Sequence, residues 1–309
     1  MSYQTFADSK GSSHSENKFQ KIRLGDLKGK AVLDLGCNEG YFCQKAIEAG
    51  AKKVVGIDQS QHFIDKAKKR FSNIDFRCQG WDVLPEGKFD VIIFLSAIHY
   101  EHDQFDLLKR IKQALKPDGK LILECGVIDG EDAKWARVHR KVGSVLYPTR
   151  KMLLEYLLKD FAVRDFGESV MQPGDPVSRY VFHATPKQRS IVLLTGKSHS
   201  GKTNLSMMLR KNSAVISMDE HIQDMMRYEK NDLTELLRVD FSRYQLLKTY
   251  QKINNSAYVA QYCDSILESM PTDDLIFIEG RGLSLPNIYK TLISAAKRDN
   301  FRIWGMGRL

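Results

Sequence analysis

No stretch of this 309-residue sequence approaches the ~20 consecutive apolar residues that cross a bilayer, so a spanning helix is not expected. Cysteine is sparse: Cys37, Cys43, Cys78, Cys125 and Cys263 are scattered and none belongs to a CxxC pair. That argues against a zinc site and against a disulfide framework. Cys37 and Cys125 fall in apolar, strand-like contexts and read as small core residues. The opening MSYQTFADSKGSSHSENKF lacks the apolar core of a signal peptide, which gives a cytoplasmic expectation. Repeats and low-complexity tracts are absent too. The net charge of +9 splits into +5 over 1–187 and +4 over 188–309, with no dense basic block. An anionic substrate is compatible with such a surface but is not required by it.

What is present has the balance of a folded chain, 42% hydrophobic and 28% charged, at a length suited to two domains. After a polar arm at 1–30, strand-like runs at 31–35, 53–57, 74–79, 89–95 and 120–124 alternate with helical patterns at 41–48, 61–70 and 105–115. Such alternation predicts parallel βαβ units in a doubly wound α/β sheet. A less regular stretch, 127–150, leads to a helix at 151–159 and two more strands, 162–168 and 179–184. At Thr185-Pro186-Lys187-Gln188-Arg189 the pattern stops and restarts, which sets domains 1–187 and 188–309.

The most informative segment is VLDLGCNEGYF, residues 32–42. A buried strand ends in an acid, and a Gly-x-Asn-x-Gly loop then opens a helix. Small residues let a backbone approach a ligand closely at a helix N-terminus. Asn38 stands where a dinucleotide loop carries its middle glycine, and Asn tolerates positive φ. The next strand, VVGID, ends in Asp58 about twenty residues on, where a carboxylate can accept from both ribose hydroxyls. The third ends in QGWD, which sets Asp82 to accept from an adenine amine with Trp81 beside it. The fourth, FDVIIFLS, runs out to Ala97-Ile98-His99-Tyr100.

This ordered set, with the LKPDGKLILE segment, resembles the class I S-adenosylmethionine-dependent methyltransferases over about residues 25–185. The resemblance implies a seven-stranded Rossmann-like sheet with a late hairpin. It places Asp34, Gly36, Cys37, Asn38, Glu39 and Gly40 on the methionine part and backbone of S-adenosylmethionine. Asp58 and Gln59 would take the ribose, Trp81 and Asp82 the adenine, and Leu95 and Ser96 would line the site. A hydride-transfer enzyme is the rival for such a sheet, but the loop lacks the third glycine of GxGxxG. Alternatively, Asp34 serves as a helix cap and Trp81 as packing.

Methyl transfer from a sulfonium is an in-line displacement, so the protein chiefly positions the acceptor. A neutral hydroxyl would want a general base, and His99 could serve; the plainer reading is a hydrogen-bonded surface histidine. A phosphorylated acceptor would want cationic clamps. Tyr100, Arg137, Arg140 and Arg150 lie where this fold inserts acceptor-binding structure. A solvated basic helix face accounts for 134–141 equally well.

The second part opens on a buried strand, IVLLT, followed directly by GKSHSGKT. This is a complete GxxxxGK[ST] phosphate-binding loop between a strand and a helix. Gly196, Ser198, His199, Ser200, Gly201, Lys202, Thr203 and Asn204 are its nucleotide-binding candidates. Lys202 would reach the β/γ-phosphates of ATP and Thr203 would ligate Mg2+. Two later strands end in acids, at Asp219 and Glu279. These features resemble the small P-loop kinases, in which Asp219 would take the acceptor proton and, with Glu279, stand near Mg2+. A helix cap is the alternative for Asp219. Such kinases carry an arginine lid and a fifth strand, whereas this sequence stops soon after Trp304. Arg281, Arg302 and Arg308 remain as charge stabilisers.

The leading expectation is therefore a bifunctional methyltransferase and ATP-dependent kinase acting on a small molecule or a glycan. The pairing is similar to that of the enzymes that terminate O-antigen polysaccharides. The alternatives are an RNA-modifying or RNA-end-processing enzyme, or a lone methyltransferase with a regulatory nucleotide module.

Overall fold

The computed structural model describes residues 3–140, 143–172, 175–196, 201–238, 241, 245–299 and 301–306. Met1–Lys187 and Gln188–Leu309 form two compact units, here unit 1 and unit 2. No helix among the described residues is long and apolar enough to cross a membrane.

Unit 1 runs α1 (Ser15–Ile22), β1 (Ala31–Leu35), α2 (Tyr41–Glu48), β2 (Lys53–Asp58), α3 (Gln61–Arg70), β3 (Asp75–Cys78) and β4 (Phe89–Leu95). It continues with α4 (Gln104–Ala114), β5 (Leu115–Gly126), β6 (Trp135–Arg140), β7 (Gly143–Pro148), β8 (Phe161–Glu168) and β9 (Arg179–Pro186). Seven strands make one sheet in the order β3-β2-β1-β4-β5-β9-β8. The first five are parallel, while β9 and β8 return antiparallel. This is the α/β Rossmann-like sheet expected, including its late hairpin.

Alternation along each strand divides the core into two layers. Leu33 and Leu35 of β1, Ile92 and Phe94 of β4, and Leu121 and Leu123 of β5 face α4, which buries Leu107, Leu108 and Ile111. Their neighbours Val32, Ile93 and Ile122 face the other way, toward Phe42 and Ala46 of α2 and Ile64 and Ala67 of α3. The Asp103 side chain caps α4 by accepting from Asp106 N at 2.9 Å. Strand order reverses between β1 and β4, and a crevice outside the carboxyl ends of such strands is where open α/β sheets bind ligands.

Three sequence expectations change. Residues 135–140 form β6 and pair antiparallel with β7, so the basic stretch alternates across a hairpin instead of lining a helix. The helix expected at 151–159 contains a π turn at Met152–Leu157. Pro117-Asp118-Gly119, residues that signal a turn between a helix and the next strand, lie inside β5 as an irregularity. Phe89 pairs with Leu115, and the next aligned pair is Val91 with Lys120.

Unit 2 runs β10 (Ser190–Leu194), α5 (Lys202–Leu209), β11 (Ala214–Ser217), α6 (Met218–Tyr228), α7 (Asp232–Arg238) and α8 (Leu246–Asn254). After these come α9 (Val259–Glu268), β12 (Leu275–Glu279), α10 (Pro286–Arg298) and β13 (Arg302–Met306). Its four strands are all parallel, in the order β11-β12-β10-β13. Ile191, Leu193 and Ile278 pack into a core with Ile222, Tyr250, Ile266 and Leu292, whereas Val192, Leu194 and Phe277 face a smaller cluster with Leu209 and Val215.

Candidate active site

The carboxyl ends of β1, β2 and β4 carry the first site. Three residues of the loop after β1 have left-handed backbone: Gly36 (φ 73°), Asn38 (φ 54°) and Gly40 (φ 86°). A Cβ on Gly40 would come within 2.6 Å of the Phe76 ring, so both the angle and the space there require glycine. Asn38 keeps its angle by local bonding, its Oδ1 accepting from Glu39 N at 2.9 Å. Asp58 ties the loop to β2: Oδ2 accepts from Asn38 N and Oδ1 from Ser60 N, both at 2.9 Å.

Asp34 is buried beneath this loop, with Cys43 Sγ donating to it at 3.3 Å. Burial pushes its carboxyl up to about 7 against the single thiol bond, and Asp58 nearby adds to the rise. Burial likewise raises the Asp58 carboxyl, opposed by the Ser60 and Asn38 amides. Glu39 is buried and paired with Lys66 at 2.8 Å. Cys37 lies in the core, while Gln59 and Asp82 are exposed. Trp81 donates from Nε1 to Glu101 at 2.7 Å and packs edge-on to Phe94. Its ring would lie 3.9 Å from a Cβ placed on Gly36, so it borders the loop.

Ser96, just beyond β4, is a non-glycine residue in left-handed backbone (φ 60°). Its hydroxyl donates to Glu124 Oε2 and accepts from Lys18 Nζ at 2.6 Å. Glu124 ends an apolar strand run and is fully buried. It pairs with Lys18 at 3.1 Å and Arg179 at 3.5 Å and accepts from Ser169 Oγ at 2.6 Å. Burial alone would raise the Glu124 carboxyl, but Lys18 and Arg179, with the two serines, hold it below its ordinary value. The N-terminal arm supplies a second anchor. Gln4 donates to Cys37 O at 3.3 Å and accepts from Tyr41 N at 3.0 Å, bracketing the glycine loop.

Sequence reasoning missed Gln4, Lys18, Glu124 and Arg179. A signal was there in Glu124, a charge closing the run LILE.

His99 is not a surface residue. It is buried, stacked on Tyr147 with ring centres 4.9 Å apart, and lies 4.2 Å from the Tyr100 ring. Tyr147 belongs to β7, so the hairpin covers the end of β4. Tyr100 and Arg137 are exposed, and the Arg140 side chain lies outside the described residues. Arg150 sits over the Tyr180 ring at 4.4 Å and bonds Asp165.

The second site lies at the carboxyl ends of β10, β11 and β12. Lys197, Ser198, His199 and Ser200 lie outside the described residues, as does the Thr203 side chain. Gly201 (φ 82°) caps α5, Lys202 Nζ donates to Gly196 O at 2.6 Å, and Asn204 is exposed. Asp219 stands in the first turn of α6, where Ser217 is the cap, its hydroxyl accepting from Glu220 N. The cap alternative for Asp219 therefore falls away. Asp219 Oδ1 instead accepts from Tyr250 Oη at 2.9 Å and Arg281 N at 3.1 Å. Glu279 ends β12, beside Ser217 in the register. Among the described residues no group of three or more His, Cys, Asp or Glu side chains could hold a metal ion.

Residues 26–150 match the family model described as a methyltransferase domain. Unit 1 carries a methyltransferase domain. The chain is 34% identical over 131 residues to the tRNA U34 carboxymethyltransferase of Cellvibrio japonicus, an alignment covering 38% of this chain and 40% of the relative. It is 38% identical over 112 residues to the enzyme of that name from Campylobacter curvus, covering 34% and 37%. The chain thus spans well under half the length of these curated relatives. A solved S-adenosylmethionine dependent methyltransferase from Mesorhizobium loti aligns with a TM-score of 0.45 at 22% identity, over 54% of this chain and 97% of that one. The matched residues of the family model all fall within the methyltransferase domain of unit 1, and none falls in unit 2.

Proposed function

We propose that unit 1 is an S-adenosylmethionine-dependent methyltransferase acting on RNA, with tRNA the first substrate to test. The observation behind the cofactor is the Asp58 carboxylate bonded to the positive-φ loop. Each of its oxygens has accepted one backbone amide and keeps a lone pair, so a pair of donating ribose hydroxyls fits these acceptors. Asp34, buried with one weak donor, suits the cationic methionine end. Trp81 and Asp82 would hold the adenine. When bound, the cofactor supplies an electrophilic methyl on a sulfonium. The chain's part is to hold it, orient the acceptor under the β6–β7 hairpin, and exclude water. His99, packed under Tyr147, suits orientation better than free proton exchange.

RNA displaces the glycan expectation because the curated relatives are described by a tRNA substrate. The test incubates the full chain with S-[methyl-3H]adenosylmethionine and separate tRNA, glycan and metabolite pools. Label in tRNA is expected, weakening with salt as phosphate contacts are screened. Label confined to glycan would sink the RNA reading.

For unit 2 we propose an ATP-dependent phosphotransferase. Supporting it are the all-parallel order β11-β12-β10-β13, the GKSHSGKT sequence between β10 and α5, and Asp219 just past the end of β11. Mg2+ at a phosphate site needs just one or two protein ligands, so Thr203 with Glu279 would suffice. ATP consumption that is indifferent to Lys202→Ala would remove this reading.

A further inference from the structure

The surroundings of Asp219 bear on what receives the phosphoryl group. Its Oδ1 is held twice, by the hydroxyl of Tyr250 from α8 and by the backbone amide of Arg281 from the turn after β12. Tyr250 is wholly buried, so this grip belongs to the core of unit 2. Oδ2 faces Arg281 Nε at 3.7 Å, an ion-pair distance too long for a hydrogen bond. The Arg281 side chain is 58% exposed, and Asp219 is its one carboxylate partner within 4 Å among the described residues.

Gly280 makes this pairing possible. Its φ is 144°, and a Cβ there would lie 2.6 Å from Met218 Cβ, so the turn comes against the start of α6 only with glycine. The result is a carboxylate with one fixed oxygen and one loosely engaged oxygen, set directly beside an open guanidinium. The planar fork of Arg matches carboxylate and phosphate oxygens. A carboxylate alone would serve a neutral alcohol; the adjoining guanidinium adds a docking point for negative charge.

We propose that Asp219 and Arg281 form the acceptor half of the unit 2 site, and that the acceptor is a small alcohol bearing a carboxylate or phosphate next to its hydroxyl. The proposal rests on reading unit 2 as a phosphotransferase. In the step, the acceptor oxygen bonds to the γ-phosphorus of ATP and the bond from that phosphorus to the β-bridging oxygen breaks. ADP leaves with the electron pair, and the hydroxyl proton passes to Asp219 Oδ2. Arg281 docks the neighbouring anion, and Tyr250 is a positioning residue that fixes Oδ1.

The test measures transfer from [γ-32P]ATP and Mg2+ by the full chain to three acceptor sets: neutral polyols, α-hydroxy acids and sugar phosphates. Transfer to one anionic set is expected, and which set responds tells carboxylate from phosphate. Arg281→Gln should raise KM for that acceptor about 30- to 100-fold, leave KM for ATP unchanged, and be partly rescued by Arg281→Lys. Tyr250→Phe should lower kcat about tenfold with little change in either KM. Equal use of neutral polyols, or an Arg281→Gln loss carried by kcat on every acceptor, overturns the proposal and leaves the phosphotransferase reading standing. No transfer to any acceptor, with ATP binding indifferent to Lys202→Ala, overturns both.

Discussion

Both units set a glycine-bearing segment between a first parallel strand and a helix, and both place a carboxylate at or just beyond the end of the next strand. The two carboxylates are held in different ways. Asp58 accepts from Asn38 and Ser60, so it is fastened to the same loop it would help to form a cofactor site. Asp219 is fastened to Tyr250 on α8 and to the turn after β12, both distant in sequence. An acid wired to its own loop reports on what the loop holds. One βαβ arrangement thus supports, on our proposals, cofactor binding in one unit and acceptor activation in the other.

The comparison breaks most sharply at Lys202. Lys202→Ala should cut ATP turnover about 100- to 1,000-fold while tRNA methylation by the same preparation is unchanged, as radiolabel assays of both activities would show. A parallel fall in methylation would mean the units are coupled. On the other side, Asp58→Ala should weaken S-adenosylmethionine binding about 30- to 100-fold by calorimetry, because the two ribose bonds we propose go and the Asn38 amide loses its partner. ATP binding should not move.

Lys18→Met leaves Glu124 buried with one cation fewer and should cost about 3 kcal/mol in urea unfolding. Adding Glu124→Leu should recover part of that loss. The sign with pH follows from Glu124 being held below its ordinary value: its contribution is present above the usual carboxylate range and is lost as pH falls through the lowered value. The smallest effect is expected at Asp34. Its carboxyl titrates at about 7, neutral below and anionic above, so affinity for the cationic cofactor should rise about tenfold from pH 6 to pH 8. Asp34→Asn should flatten that profile.

Much of unit 1 could be read from sequence because its signals are local. The runs at 31–35 and 89–95 and the helices at 41–48 and 61–70 appear with the predicted bounds, since apolar period and turn residues lie within a few positions of each other. Strands β6 and β7 were not legible. Trp135-Ala136-Arg137-Val138-His139-Arg140 alternates weakly, and its pairing with Gly143–Pro148 is what makes it a strand. The Lys18–Glu124–Arg179 cluster was beyond reach for another reason. Its members lie on three separate elements, and nothing in the spacing of 106 residues between Lys18 and Glu124 brings them together. His99 was placed at the right strand end, but its burial depends on Tyr147 from the unpredicted hairpin.

The two bonds from Gln4 to the glycine loop have a kinetic consequence. Tyr41 N–H opens α2, where a helix offers no internal acceptor, and Gln4 Oε1 takes that place. Exchange of the Tyr41 amide with solvent deuterium therefore requires the arm to lift, or α2 to open. Its protection factor, read with and without S-adenosylmethionine, becomes a clock for the arm: slower exchange with cofactor would mean the arm closes over a filled loop, and unchanged exchange that it stays shut regardless.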